Sequence, residues 1–356
     1  MAEKNLGAMY VTQLDNVGWI SGFTGSNGYV LITPTGAFFA TDSRYTLQAA
    51  TECQGFKIVN LGANAADDLI QMIVQSGAKQ VGFEASHLTF RSHEATRAKL
   101  PAEIELVSTD RLIDDLRLVK DDGEITLIKT SCRLADRAFE HILPFIHPGA
   151  TERDIMLELE WYMRKQGGAE IAFDSIVVSG PRTALPHGKA TSRVLENGDL
   201  VTLDFGSRLE RYCSDITRTV VLGTPTERQK LIYNTVLEAQ TKAIAAIKPG
   251  ANGKDIDAIA RNHITAAGFG DYFGHGLGHS IGRVVHDGPG FSSRSDIVLA
   301  PGMVMTVEPG IYIPGWGGVR IEHDVLVTET GNSVLTHSTT ELLSLPTVKR
   351  TISEQA

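Results

Sequence analysis

Cysteine is scarce in this chain, with three residues, Cys53, Cys132 and Cys213, among 356. They are widely spaced and form no Cys-x-x-Cys pair, which argues against a thiolate zinc site. A reducing, cytoplasmic compartment is the simplest reading. No run of 18 apolar residues occurs, so no transmembrane helix is expected. The opening Met1-Ala2-Glu3-Lys4-Asn5-Leu6 lacks the basic and then apolar pattern of a secretory signal. Positive charge is not in excess: 33 Lys and Arg stand against 42 Asp and Glu, a formal net charge of −9. That balance argues against nucleic acid or an anionic membrane as a partner, since either would call for a basic face.

What is present is an ordinary globular composition, 42% hydrophobic and 21% charged, which can bury a core. At about 150 residues per domain the length suggests two domains. Within the first 110 residues, Tyr29–Ile32 and Phe38–Ala40 read as strands around a Pro34-Thr35-Gly36 turn. Asp67–Gly77 reads as a helix with Leu69, Ile70, Ile73 and Val74 on one face, and Lys79–Phe83 as the next strand. This is a small α/β unit. The charged stretch Lys120–Glu124 opens a helical pattern running to about Ile146. The domains are therefore expected at residues 1–118 and 119–350.

The second part repeats itself. Ile146-His147-Pro148-Gly149-Ala150-Thr151-Glu152-Arg153-Asp154-Ile155 resembles Ile247-Lys248-Pro249-Gly250-Ala251-Asn252-Gly253-Lys254-Asp255-Ile256, an offset of 101 residues at which Gly167 also meets Gly268. Turn, acidic N-cap and terminal glycine all stay in register. Two α+β halves related by a pseudo-twofold follow, and a site at their junction would draw ligands from both.

Acids recur inside apolar strand-like runs. Leu200–Gly206 carries Asp204, and Asp215 follows eleven residues later in Cys213–Val221, after the polar segment Ser207–Arg211. A hairpin would set the two acids side by side. Met303–Tyr312 carries Glu308, and Gly317–Val327 carries Arg320, Glu322 and Asp324 on one face by period two. Each such acid is costly to bury unless it is paired or bound to a cation. Between them lies Gly274-His275-Gly276-Leu277-Gly278-His279-Ser280-Ile281-Gly282, with His286 seven residues beyond His279. Glycine there lets backbone approach a site closely. Asp204, Asp215, His279, Glu308 and Glu322 thus form a candidate ligand set, whose four negative charges balance two divalent ions. Oxygen-rich ligation with one imidazole suits Mn²⁺, Co²⁺ or Zn²⁺, and the lack of thiolate favours Mn²⁺. Two ions about 3.5–4 Å apart can acidify a shared water and stabilise an oxyanion, which is hydrolytic chemistry.

This ordered set resembles the pita-bread metallopeptidases, the group of aminopeptidase P, prolidase, methionine aminopeptidase and the non-metal creatinase. The match spans about residues 123–345. Ser179-Gly180-Pro181-Arg182-Thr183-Ala184-Leu185-Pro186-His187-Gly188 is similar to the substrate-loop motif of the short bacterial and archaeal Xaa-Pro peptidases. Trp19–Ser26 and Thr41–Tyr45 fit their N-terminal domain. The resemblance implies an α+β fold, with a small creatinase-like α/β domain followed by a pseudo-twofold pita-bread catalytic domain. It implies that Asp204 binds one metal, that His279 and Glu308 bind the other, and that Asp215 and Glu322 bridge them. Glu308 would also accept the proton of the attacking water. By the same resemblance His187, His275 and His286 help hold substrate and developing oxyanion, Arg320 lies on the proline carboxylate side, and Tyr312 supports that shell. The implied activity is cleavage between an N-terminal residue and a following proline, on dipeptides or longer peptides, by a homodimer. Methionine aminopeptidase-like chemistry and a non-catalytic binding module are the alternatives. The first usually lacks both this kind of N-terminal domain and the histidine at the position of His275. The second loses ligands, all of which are present here. The family's opening helix is expected to be shortened or missing, because Ala8–Thr12 already reads as the first strand.

Overall fold

The computed structural model describes residues 1–168 and 170–347. Residues 348–350, the end of the catalytic domain expected from sequence, lie outside them. The chain divides into two compact units, Met1–Leu116 and one that begins at Arg117.

The first unit opens on a single 3₁₀ turn, Ala2–Lys4, before its first strand Ala8–Val11. Its sheet runs Lys57–Leu61, Gly36–Asp42, Tyr29–Thr33, Ala8–Val11, Gln80–Glu84, Glu105–Thr109 in spatial order. The three middle members form an antiparallel meander, and the strands outside it join in parallel. Thr33 pairs with Gly36, so Pro34-Thr35 is a two-residue turn. The first strand shows the period of two: Ala8 and Tyr10 enter one apolar cluster, Met9 and Val11 the other. Both faces of this strand, which has one antiparallel and one parallel neighbour, are therefore covered. The helix expected at Asp67–Gly77 is Ala65–Gln75, stopped where Gly77 takes φ 70.

In the second unit, helix Asp122–Ile142 begins with a capping box between Asp121 and Glu124 and buries Ile128, Cys132, Ala135, Phe139 and Ile142 at helical spacing. It stops short of the expected Ile146. Pro144 has no N–H to continue the ladder, and the chain passes into a 3₁₀ turn, Leu143–Phe145. The offset of 101 is carried by the structure. Glu152–Lys165 corresponds to Gly253–Ala266, and each follows a longer helix, Asp122–Ile142 or Glu227–Ala246. The Gly149 N–H meets the Leu195 carbonyl at 3.1 Å where Gly250 meets Leu299 at 2.8 Å, and Leu195 returns to Ala150 as Leu299 returns to Ala251. Each half has its own core. The first packs strands Ile176–Ser179, Leu200–Phe205 and Ile216–Leu222 on its helix pair, and the second packs Val304–Val307, Gly310–Ile313, Gly317–Arg320 and His323–Val327 on the other. No helix among the described residues is long and apolar enough to cross a membrane.

The two copies differ in what they bury. Glu152 is fully buried, and its carboxylate accepts from the Ser179 N–H and hydroxyl at 2.8 and 2.9 Å, from Arg182 Nε at 3.1 Å, and from the Thr191 N–H and hydroxyl at 3.0 and 2.7 Å. These bonds tie both ends of the loop that carries His187. At the matching position Gly253 has no room for a side chain, since a Cβ would stand 2.5 Å from Ile297. Glu152→Ala leaves two buried N–H groups unanswered, so a loss of about 3 kcal/mol is expected in urea unfolding. An unchanged midpoint would show that the loop is held by other means.

Candidate metal and active site

All ten residues singled out in the sequence line one cavity of about 600 Å³: Asp204, Asp215, His279, Glu308, Glu322, His187, His275, His286, Tyr312 and Arg320. Phe173, Asp174, Ser175, Ile176, Lys189 and Val285 share its wall and carried no signal of their own in the sequence, and Pro186 of the Ser179–Gly188 motif joins them.

Asp204 and Asp215 arrive on one hairpin. Leu200–Phe205 pairs with Ile216–Leu222, and Ser207–Leu209 pairs with Tyr212–Cys213 in the same register around Glu210-Arg211. The acids are not directly opposite. Asp204 faces Thr217, and the register sets Asp215 against Gly206, so the two carboxylates are diagonal neighbours on one face. Gly206 is required there because a Cβ would stand 1.8 Å from the Ser214 carbonyl. Asp215 is held from behind, its N–H donating to Asp324 Oδ2 at 2.9 Å, which also accepts from Cys132 Sγ at 3.3 Å. Asp324 therefore faces Asp215 and Cys132 and is not part of the cavity wall formed by Arg320 and Glu322.

His279 is brought to Glu308 by backbone. The His279 carbonyl accepts from Thr306 N–H at 2.7 Å, and Leu277 accepts from Glu308 N–H at 2.8 Å. This approach needs Gly278, whose added Cβ would stand 2.1 Å from the Thr306 carbonyl. His279 Nδ1 lies 3.2 Å from the Ser280 carbonyl, which can only accept, so the ring proton sits on Nδ1. Nε2 is left as a lone pair, 3.5 Å from Glu308 and 3.6 Å from Asp215. Ligand atoms of Asp215, His279 and Glu322 lie within 4.8 Å of one another. Two threonines steady the acids. Thr217 Oγ1 donates to Glu322 at 2.7 Å, and Thr306 Oγ1 donates to Glu308 at 3.2 Å. Neither was read from the sequence. Each stands two residues from an acid, Asp215 or Glu308, so period two could have flagged both as sharing the acid's face.

Arg320 is 3% exposed and ion-pairs with Asp204, while it donates to Thr217 Oγ1 and to the Tyr312 hydroxyl, both at 3.0 Å. Tyr312 in turn meets His275 Nε2 at 2.9 Å, and His275 Nδ1 meets the Gly276 carbonyl at 2.7 Å. Both nitrogens of His275 are thus engaged within the protein. His187 and His286 are exposed at the cavity, the latter with its ring 4.2 Å from that of His279.

Electrostatics separates the acids from the imidazoles. Burial first, then the neighbouring carboxylates, pushes Asp215 and Glu322 well above the usual carboxylate range. Burial raises Glu308 to about 8 against the opposing pull of Arg320. Burial lowers His275 and His279 to about 4, so both imidazoles are neutral at pH 7. The Oδ1 atom of Asp215 is buried without a hydrogen-bond partner. A carboxylate oxygen left bare among other acids, beside an imidazole lone pair, fits a divalent cation.

The chain matches the model of metallopeptidase family M24 over residues 126–329 and that of the creatinase/prolidase N-terminal domain over residues 1–119. It is 39% identical over 345 residues to the Xaa-Pro dipeptidase of Pyrococcus horikoshii, covering 96% of each chain. Among solved structures it is similar to a Xaa-Pro dipeptidase from Bacillus anthracis, with TM-score 0.94, 46% identity, and 97% of this chain and 96% of that one covered. An X-Pro aminopeptidase from Thermotoga maritima follows with TM-score 0.90, 38% identity, and 96% and 98% covered. The fold, the cavity and these matches agree, and the chain belongs to metallopeptidase family M24, in the form that carries a creatinase/prolidase N-terminal domain.

Proposed function

We propose that this metallopeptidase removes an N-terminal residue from peptides whose second residue is proline, using two divalent ions, Mn²⁺ in the first instance and Co²⁺ or Zn²⁺ as substitutes. The observation that carries the proposal is one cavity that gathers the carboxylates of Asp204, Asp215, Glu308 and Glu322 with the His279 lone pair, with a buried oxygen of Asp215 unsatisfied. Asp204, Asp215, His279, Glu308 and Glu322 would hold the ions, Asp215 and Glu322 contributing to both. Bound there, the ions supply Lewis acidity to the scissile carbonyl and to the attacking water.

The chain's own groups do the rest. Glu308 takes the proton of the water and returns it to the departing proline nitrogen, a nitrogen that carries no hydrogen while it is part of the peptide bond. Arg320, fixed by Asp204, Thr217 and Tyr312, holds positive charge on the side of the proline carboxyl group. His275, aligned by Tyr312, walls the pyrrolidine, and His187 and His286 close on substrate from the cavity mouth. A cavity of about 600 Å³ is of a size for a short peptide. Relatives bear the names Xaa-Pro dipeptidase and X-Pro aminopeptidase, and both substrate lengths belong to the proposal. Cys53, Cys132 and Cys213 are buried and form no disulfide with one another, which supports placing the protein in the cytoplasm. We place it there as a homodimer.

Incubation with Xaa-Pro dipeptides and Xaa-Pro-Yaa tripeptides, followed by chromatography, is expected to release the first residue. Cleavage of Met-Ala-Ser alone would overturn the specificity. Asp215→Ala is expected to lose metal by elemental analysis and to lower kcat/KM by at least about a hundredfold. Full activity with full metal would remove Asp215 from the ligand set.

Metal removal gives a further test. Glu308 is raised to about 8 in the folded chain, so the folded state holds a proton that the unfolded state has lost above its ordinary carboxylate range. Stability of the metal-free protein therefore falls as pH rises toward 8. The lowered histidines act the other way, and only up to about one unit above their ordinary value of 6.5, so the window from about pH 7.5 to 8 is left to the carboxylates. In calorimetry with a chelator the melting temperature should drop across that window, and Mn²⁺ should abolish the drop. A flat profile in the chelated protein would contradict the raised carboxyl group.

A further inference from the structure

One buried polar side chain in the helix Glu227–Ala246 has no part in the cavity wall yet reaches both of its second-half acids. Gln240 is 1% exposed, and its Nε2 donates to the Val307 carbonyl at 3.0 Å and to the Ile321 carbonyl at 2.9 Å. Those carbonyls belong to the peptide units that lead into Glu308 and Glu322. The other end of each unit is also fixed: the Glu308 N–H donates to Leu277 at 2.8 Å and the Glu322 N–H to Thr217 at 3.1 Å.

The position is where the sheet gives no regular support. Val304–Val307 pairs with His323–Val327, and Gly310–Ile313 pairs with Gly317–Arg320. Between the two ribbons lie Glu308-Pro309 on one side and Ile321-Glu322 on the other, outside both ladders. Pro309 brings no N–H to bridge the gap. The two protons of one amide bridge it instead. The corresponding residue 101 positions earlier is Phe139, 2% exposed in the first core. The repeat thus keeps an apolar side chain in one half and a buried amide in the other, where desolvation is offset only by the two hydrogen bonds.

We infer that Gln240 is a positioning residue for the metal centre: it sets the spacing of Glu308 and Glu322 by fixing both peptide planes, and so governs how tightly the pair of ions is held. This rests on the dinuclear reading above. Gln240→Met keeps shape and burial while removing both donors. Titration calorimetry of the metal-free protein with Mn²⁺ alone is expected to show an affinity lower by about 10- to 100-fold. The electron paramagnetic resonance signal of a coupled Mn²⁺ pair should give way to that of isolated ions. Gln240→Leu, which also removes both donors without adding charge, should shift both readouts in the same direction and serves if the Met variant does not fold. Val236→Ala, one turn earlier on the same buried face, is the packing control: it should lower the melting temperature with metal affinity unchanged. If Gln240→Met melts earlier but binds Mn²⁺ like the unmodified chain, or if Val236→Ala weakens binding equally, Gln240 is a packing residue and the inference fails. If the unmodified chain takes up no pair of ions, the dinuclear reading itself falls, and this inference with it.

Discussion

The mutual repulsion of four carboxylates in one cavity is the constraint on which the rest of the second unit depends. Like charges 4 to 5 Å apart repel by roughly 3–4 kcal/mol at an effective dielectric near 20. Several such pairs would consume much of the ~5–15 kcal/mol that holds a domain together. One guanidinium, Arg320, is ion-paired to one of the acids, Asp204. The raised positions of Asp215, Glu308 and Glu322 are the chain's response when protons are the only other compensating charge. Divalent cations do the same work without the protons, so a site that is a liability to the bare fold becomes a source of stability once it is filled.

Everything close to the cavity serves to keep the acids where they repel. Thr217 faces Asp204 across the hairpin, donates to Glu322 and accepts from Arg320. Arg218, on the same strand, is 1% exposed and turns its guanidinium to the carbonyls of Thr217, Glu322, Ser338 and Thr339. Burial pushes it down to about 10, still charged at neutral pH. A buried cation that donates to carbonyls and to His323 Nδ1 rather than to an acid adds positive potential behind Glu322 while leaving the carboxylate free for a ligand. His279 is handled the opposite way: its outer nitrogen is tied to a carbonyl and its inner one is left bare.

Much of this was legible in the sequence because buried charge is rare enough to be conspicuous. Four acids inside apolar runs and a glycine-interleaved histidine pair could be read without a structure, and so could the repeat, whose Pro-Gly turns and terminal glycines mark backbone that needs positive φ. The register of the first hairpin could not. Its turn is Glu210-Arg211, with φ 45 and 69, rather than the Asn-Gly type that announces itself. So the diagonal placement of Asp204 and Asp215 had to come from the ladder. The early end of Asp122–Ile142 was written at Pro144, but the apolar pattern ran on past it and masked the stop. Gln240 and Arg218 were silent for a different reason. A polar residue in a helix or strand reads as solvated until the partners that bury it are known, and the distant carbonyls that these two meet lie 67 to 121 residues away.

The seam between the two halves is where such a cluster can be tolerated. Val201, Leu203, Phe205 and Ile216 point into the first core, while Val307, Ile311, Val319 and Ile321 belong to the second. Leu200 and Val221 at the far end of the first hairpin join the second core, while Asp204, Thr217 and Thr219 of the same hairpin turn their polar groups to the second half's strands. The bonds that cross there are polar throughout: Glu322 N–H to the Thr217 carbonyl, Thr219 Oγ1 to the Arg320 carbonyl, and Arg320 N–H back to Thr219 Oγ1. A charge placed inside either core would displace close-packed side chains. At the seam it replaces nothing and finds oriented donors from both copies. Duplication therefore supplies more than a second set of helices. It creates an interface with a buried polar face on each side, and Asp204 and Asp215 from one copy can meet His279, Glu308 and Glu322 from the other without either core giving up its packing.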